Sequence, residues 1–354
     1  MSETRELLRE AAERLLEKHC AAETMRRADA GEFPQALWRA LTAAGYPAAL
    51  VPESAGGPGL EVSDALSLLV SAGRHAVPAP LAETMLAGWL LSAAGIAMPE
   101  GPLAVAPVRA GDGLTASRDG TAWRLQGSAG RVPWAARSAA IVVLARCDER
   151  NLVALVAPGD CRMTGGSNLA GEPRDDVDFS GVRCDAAALL QDTALDAAAL
   201  LALGAVMRSA QIAGALQSIL ETSVQYARER VQFGRPIGRF QAIQQNLAQL
   251  AGQAAAATAA AEAAIEAAAR GLDSPAVAVA KIRAGEAAGI GAAIAHQVHG
   301  AIGFTQEHRL HHATRRLWSW RDEFGNEAYW ARRLGGAVAA AGADRLWHGI
   351  TAAG

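Results

Sequence analysis

Three long alanine-rich stretches dominate the C-terminal half of the chain: Leu195–Arg230, Arg239–Gly271 and Ser274–Gly300. Alanine is the strongest helix former, and successive long helices with short connections pack side by side as a bundle. Each stretch is long enough to cross a domain, so this half is expected to be a helical bundle. The apolar run Leu247–Ala269 carries Gln249, Gln253, Glu262 and Glu266. Those residues mark a bundle helix and not a membrane span. The first two stretches are separated by RERVQFGRPIGRFQAIQQ (Arg228–Gln245), which places Arg228, Arg230, Arg235 and Arg239 around a Phe-Gly-Arg-Pro-Ile-Gly breaker. Arginine presents a planar fork of donors that matches phosphate oxygens. A turn that exposes arginine and backbone N–H groups between two helices is either an anion cradle or a solvated basic corner.

Upstream the pattern changes. Short β-type runs at Leu103–Val108, Ala122–Leu125, Ala140–Ala145 and Leu152–Val156 are separated by turn signals at Gly111-Asp112-Gly113, Asp119-Gly120 and Pro158-Gly159-Asp160. This implies a small antiparallel barrel or sandwich. Residues 1 to 103 are helical in pattern. Phe33, Leu37 and Leu41 recur at a spacing of four before Gly45, Ser63-Asp64 offers a cap for a helix through Ala72, and an apolar helix follows from Ala79 to Ala94. The expected architecture is α+β and multidomain. It has an N-terminal helical domain (1–103), a central small β-barrel domain (104–191) and a C-terminal four-helix-bundle domain (192–354).

The net charge of −3 and 19% charged residues argue against nucleic acid as a partner. Cys20, Cys147, Cys161 and Cys184 are scattered without metal-ligand spacing, as in a reducing cytoplasm. The charged N-terminal segment is no signal peptide, so a cytoplasmic location is expected. No G-x-G-x-x-G follows a strand, so a nicotinamide site is not supported.

Four segments in order resemble the acyl-CoA dehydrogenase family over nearly the full length. They are FPQALWRALTAAGYPAALVPESAGGPGL (from Phe33), RVQFGRPIGRFQAIQ (from Arg230), HQVHGAIGFTQEHRL (from His296) and RRLWSWRDEFGNEAYWARRLG (from Arg315). The resemblance implies an FAD-dependent α,β-desaturation of an acyl-CoA thioester, with hydride passing to flavin N5. It implies a dimer or tetramer with a shared FAD site, homomeric or built with a homologous subunit, and electron-transfer flavoprotein or a similar acceptor. It assigns Arg230 and Phe233 to the pyrophosphate and adenosine side of FAD across a subunit interface. Gln241 is the cofactor-contacting glutamine, and Gln297 with the backbone at Gly300 and Ala301 lies along the adenosine half. Asn326 belongs to the same implied set. Ala301 stands where the family has a second glycine. In the β domain the family's T-E-P-x-x-G-S-D loop is abbreviated to Ala106–Ser117, and Gly130-Arg131-Val132-Pro133-Trp134 replaces its W-I-T-N. Val132 and Pro133 are therefore expected to line the flavin through backbone and apolar contact, without the threonine hydroxyl.

The reaction needs a carboxylate base shielded from water. By resemblance, the base position just before Gly325 is held by Phe324, and the alternative site on the upstream helix falls near Gly204-Ala205. Glu323 is the expected base if the loop shifts by one residue. A catalytically silent subunit that shares an FAD site with a base-bearing partner is a second reading, known among bacterial enzymes for steroid side chains and other bulky acyl-CoAs. A related flavin oxidase or monooxygenase is a third. A helical protein that kept the fold and lost FAD is a fourth. His308, His311 and His312 have a spacing that can bind metal, but a polar helix face is the better reading, and no metal is expected. Trp318, Trp320 and Trp330 are read as core aromatics. Arg315 and Arg316 suit either a phosphate contact or a salt-bridged helix surface.

Overall fold

Residues 3–192, 194–345 and 347 are described by a computed structural model. The N-terminal part is helical: α1 (Glu3–His19), α2 (Ala22–Asp29), α3 (Gln35–Ala43), α4 (Val62–Arg74) and α5 (Leu81–Ala93). The strands are β1 (Leu103–Ala106), β2 (Thr115–Asp119), β3 (Ala122–Gln126), β4 (Ser128–Pro133), β5 (Ala140–Cys147), β6 (Arg150–Val156), β7 (Arg162–Thr164), β8 (Arg174–Asp178), β9 (Arg183–Cys184) and β10 (Ala187–Leu189). After α6 (Ala197–Glu229), a hairpin of β11 (Val231–Gln232) and β12 (Arg235–Pro236) leads to α7 (Gln241–Ala268). The chain continues through α8 (Pro275–His299), α9 (Leu310–Trp320) and α10 (Glu327–Ala341). The helical, β, helical order is as expected, with α3, α4, α5 and the three long helices close to their expected bounds.

The chain divides into two compact units, each discontinuous in sequence: 1–22, 66–77 and 205–354 form one, 23–65 and 78–204 the other. In the second unit, β10-β6-β5-β2-β3-β9 form one sheet to which β1 adds beside β5, and β4-β8-β7 form another. These sheets do not close into the expected barrel. Both contribute side chains to one core, with Leu125, Ile141, Val143 and Ala154 from the first and Ala129, Val132 and Val177 from the second. That is the sandwich alternative. The larger sheet is also not purely antiparallel: β1 runs parallel to β5 (Leu103↔Ala140) and β2 meets β5 in parallel at Thr115↔Arg146.

In the first unit, α6, α7, α8 and α9 share one apolar core that includes Leu216, Leu250, Ala288 and Leu317. α6 passes the length and apolarity test for a membrane span, but 94% of its most apolar window is buried in the structure. It is a core helix. Helices α4 and α6 cross at glycines: a Cβ on Gly73 would lie 2.6 Å from the Gln211 carbonyl carbon, and one on Gly214 would lie 2.8 Å from Arg74 N. Arg74 then pairs with both carboxylate oxygens of Glu221 at 2.7 Å, and His75 Nε2 lies 2.7 Å from Glu13.

Candidate functional site

The basic corner is a tight hairpin. Val231 pairs with Pro236 and Gln232 with Arg235, so residues 233 and 234 make the turn. Both have positive φ, +50° at Phe233 and +77° at Gly234. This is the geometry of a two-residue turn matched to strand twist, and it costs a non-glycine residue backbone strain. The turn thrusts Phe233 outward, 91% exposed, with its ring edge-on to Phe240 at 6.0 Å. Arg235 lies over the Phe240 ring at 4.3 Å. Arg230 is exposed where α6 ends, and Gln241 is exposed as the first residue of α7.

Gln297 lies exposed on the last turn of α8, Gly300 ends that helix at φ +62°, and Ala301 follows exposed. Tyr226 stacks on His299 at 4.5 Å, so the structure brings the end of α6 beside the end of α8. His299 is buried, and its Nε2 has no hydrogen-bond partner among the described residues. Burial lowers the pKa of His296, His299 and His308, each through desolvation first. The rings also make aromatic contacts: His296 stands between Trp318 at 5.5 Å and Phe304 at 4.3 Å.

Val132 and Pro133 belong to β4 in the other unit. Both are buried and Val132 is part of the sandwich core. Its side chain is used in packing, which leaves backbone as the surface this segment can offer. Asn326 caps α10, its Oδ1 accepting from Tyr329 N at 3.0 Å.

The loop between α9 and α10 gathers several charged side chains. Arg208 of α6 donates through Nε to Glu323 Oε2 at 2.8 Å and contacts the same oxygen through Nη2 at 2.7 Å. Its Nη1 donates to Gln211 Oε1 at 2.5 Å. The Arg208 side chain is 2% exposed and that of Glu323 14%. Lys281 of α8, fully buried, donates to the carbonyls of Arg321 at 2.5 Å and Gly325 at 2.7 Å, and so ties the two ends of the loop together. Phe324 between them is buried with φ +54°, and its carbonyl accepts from Trp330 Nε1 at 2.9 Å. Arg321 pairs with Glu327 Oε1 at 3.0 and 2.8 Å.

Helix α8 makes room for this loop. Lys281, Gly285 and Gly289 are spaced four apart and share one face. A Cβ at Gly285 would lie 2.7 Å from Glu327 Cδ, and one at Gly289 would lie 2.9 Å from Arg321 Nη1. Burial pushes Lys281 down to about 7, against the opposing pull of Glu327, Glu323 and Asp322. Its ordinary value is 10.5, so between about 7 and 10.5 the unfolded chain holds the extra proton. Stability should therefore rise as pH climbs through that window. Denaturant melts at pH 7 and 9.5 are expected to show the rise in the native chain and a flattened profile in Lys281→Met.

Arg208, Gln211 and Lys281 were not among the expected site residues. Arg208 is the only charged residue between Asp196 and Glu221. A lone arginine in the middle of a core helix was the available signal.

The family description acyl-CoA dehydrogenase, N-terminal domain, matches residues 2–97, and acyl-CoA dehydrogenase, C-terminal domain, matches residues 195–334. The acyl-CoA dehydrogenase IpdE2 of Mycobacterium tuberculosis is 31% identical over 315 residues, which cover 87% of this chain and 89% of that protein. IpdE2 of Mycolicibacterium smegmatis is 29% identical over 313 residues, 88% of this chain and 91% of that protein. Among solved structures, a chain of the ChsE4-ChsE5 complex from Mycobacterium tuberculosis superposes with a TM-score of 0.82 at 27% identity, covering 96% of this chain and 98% of its own. A chain of a variant Tcur3481-Tcur3483 steroid ACAD superposes with a TM-score of 0.85 at 26% identity over the same shares, 96% and 98%. The chain belongs to the acyl-CoA dehydrogenase family.

Proposed function

We propose that this chain is a base-free subunit of a heteromeric, FAD-dependent acyl-CoA dehydrogenase, working beside a homologous subunit that supplies the carboxylate. One observation carries the reading: Glu323, the carboxylate next to the base position, is engaged by the buried Arg208 through two N–H groups. Taking a proton from carbon would require breaking that pair in a nearly dry site. Phe324 holds the base position itself, and the upstream alternative falls on Gly204 and Ala205. Glu323 as base is the competing reading, and it needs the loop to release Arg208.

The residues present fit FAD. The corner offers a cation at Arg230, an exposed aromatic face at Phe233 and an amide at Gln241. The α8 end offers Gln297, open backbone at Gly300 and Ala301, and the unpartnered His299 Nε2. Asn326 has its oxygen engaged in a helix cap and can offer its amide N–H groups. When bound, FAD supplies the hydride acceptor. Relatives named for a two-component complex and for a steroid enzyme support a homologous partner and a bulky, ring-bearing acyl-CoA. An electron-transfer flavoprotein or similar acceptor would reoxidise the enzyme. The four free cysteines suit a cytoplasmic protein.

The test is to purify the chain alone and with a co-expressed homologous subunit, and to titrate each anaerobically with CoA thioesters while following flavin absorbance. Bleaching is expected only in the pair. Bleaching by the chain alone, lost in Glu323→Gln, would establish Glu323 as the base. A chain that stays colourless with added FAD, alone and paired, would sink the flavoprotein reading. Arg230→Ala is expected to weaken FAD binding about 10- to 100-fold, the scale of one charge-assisted contact, measured by flavin fluorescence at equilibrium.

A further inference from the structure

The Arg208 guanidinium reaches beyond Glu323. Its central carbon lies 5.6 Å from the Phe324 ring centroid and 5.9 Å from that of Trp320. Gln211 holds its third nitrogen, so the group is anchored on the α6 side and cannot swing away without losing that bond. A guanidinium stays protonated at every accessible pH. Two other cations at the loop are engaged elsewhere. Arg321 is paired with Glu327, and Lys281 is spent on the carbonyls of Arg321 and Gly325, with Asp322, Glu323 and Glu327 as its acidic surroundings. Arg208 is thus a fixed cation within side-chain reach of both positions from which a carboxylate could act.

We propose that Arg208 is a positioning residue that makes this loop a poor base, holding a carboxylate at 323, or one introduced at 324, as an ionised partner that takes up a proton only at low pH. The subunit is then silenced twice, by the phenylalanine at 324 and by the arginine behind it. Restoring the acid alone does not restore a base. This rests on the base-free reading above, but its test follows ionisation and needs neither partner nor substrate, so the two fail separately.

The experiment uses the full chain as native protein, Phe324→Glu, and Phe324→Glu combined with Arg208→Gln or Arg208→Lys. Infrared difference spectra from pH 4 to 9 report the protonated-carboxyl C=O band, and thermal melts over the same range report linkage. With Arg208 present, the carboxyl introduced at 324 is expected to titrate at or below about 4.5. With glutamine at 208 its midpoint should move up by about 2 pH units or more, since burial then acts without a counter-charge. Lysine at 208 should bring it most of the way back, which a purely packing role would not do. A protonated band near neutral pH in Phe324→Glu alone overturns the proposal, as does an unchanged midpoint when Arg208 is removed. If Phe324→Glu fails to fold, Arg208→Gln against native protein asks the same question of Glu323. A protonated band near pH 7 is expected in the variant only, and identical spectra overturn the proposal.

Discussion

Arg208→Ala should lower the unfolding free energy by about 3–5 kcal/mol, the range for removing one partner of a buried ion pair. The size follows from what is left behind. Glu323 is only 14% exposed and would lose both guanidinium contacts, while Gln211 would lose its donor. The variant also loses the cation packed near Trp320 and Phe324. Replacing both partners with apolar side chains of similar volume, as in Arg208→Met with Glu323→Leu, should cost far less, because no uncompensated charge remains buried. Denaturant unfolding of Arg208→Met, Glu323→Leu and the double variant closes the cycle. A loss below about 1 kcal/mol for Arg208→Ala would mean that the pair behaves as a solvated surface bridge. The double variant separates stability from function as well: a base-free subunit should still support turnover in the heteromer once refolded.

The sequence made some of this legible and hid the rest for physical reasons. Strands β1, β3, β5 and β6 announce themselves because their residues are apolar and bounded by turns. The polar β8, Arg174-Asp175-Asp176-Val177-Asp178, gives no such signal, because its pairing with β4 and β7 depends on long-range register. Closure into a barrel or opening into a sandwich is decided by which edges meet. The parallel approach of β1 and β2 to β5 cannot be inferred from turns that favour hairpins. At the site, Phe233-Gly234 and Gly300 were readable because positive φ leaves a local mark in residue type. Glu323 was readable as an acid near the right glycine, but its partner sits 115 residues upstream. A buried ion pair has no local pattern. Each half, taken alone, looks like a charge misplaced in an apolar run.

Gly214→Ala should be at least as damaging as the loss of Arg208, at about 3 kcal/mol or more, through backbone and not through charge. A Cβ at 214 would overlap the Val70 carbonyl oxygen and lie 2.8 Å from Arg74 N, both backbone atoms of α4. No side-chain rotamer relieves that contact, so α4 and α6 must move apart. The same crossing forbids a Cβ at Gly73, which would meet the Gln211 carbonyl. Gln211 is also the residue that anchors Arg208. A shift of α6 large enough to admit one methyl group therefore pulls on the Arg208–Glu323 pair, whose bonds of 2.7 and 2.8 Å tolerate little displacement. Two consequences should appear together. Global stability falls in denaturant melts, and amide exchange in residues 320–326 speeds up although the substitution lies on another helix. Gly252→Ala, where a Cβ meets nothing within 4 Å, is the matched control and should be neutral or slightly stabilising. If Gly214→Ala melts like that control, the close crossing of α4 and α6 does not position Arg208.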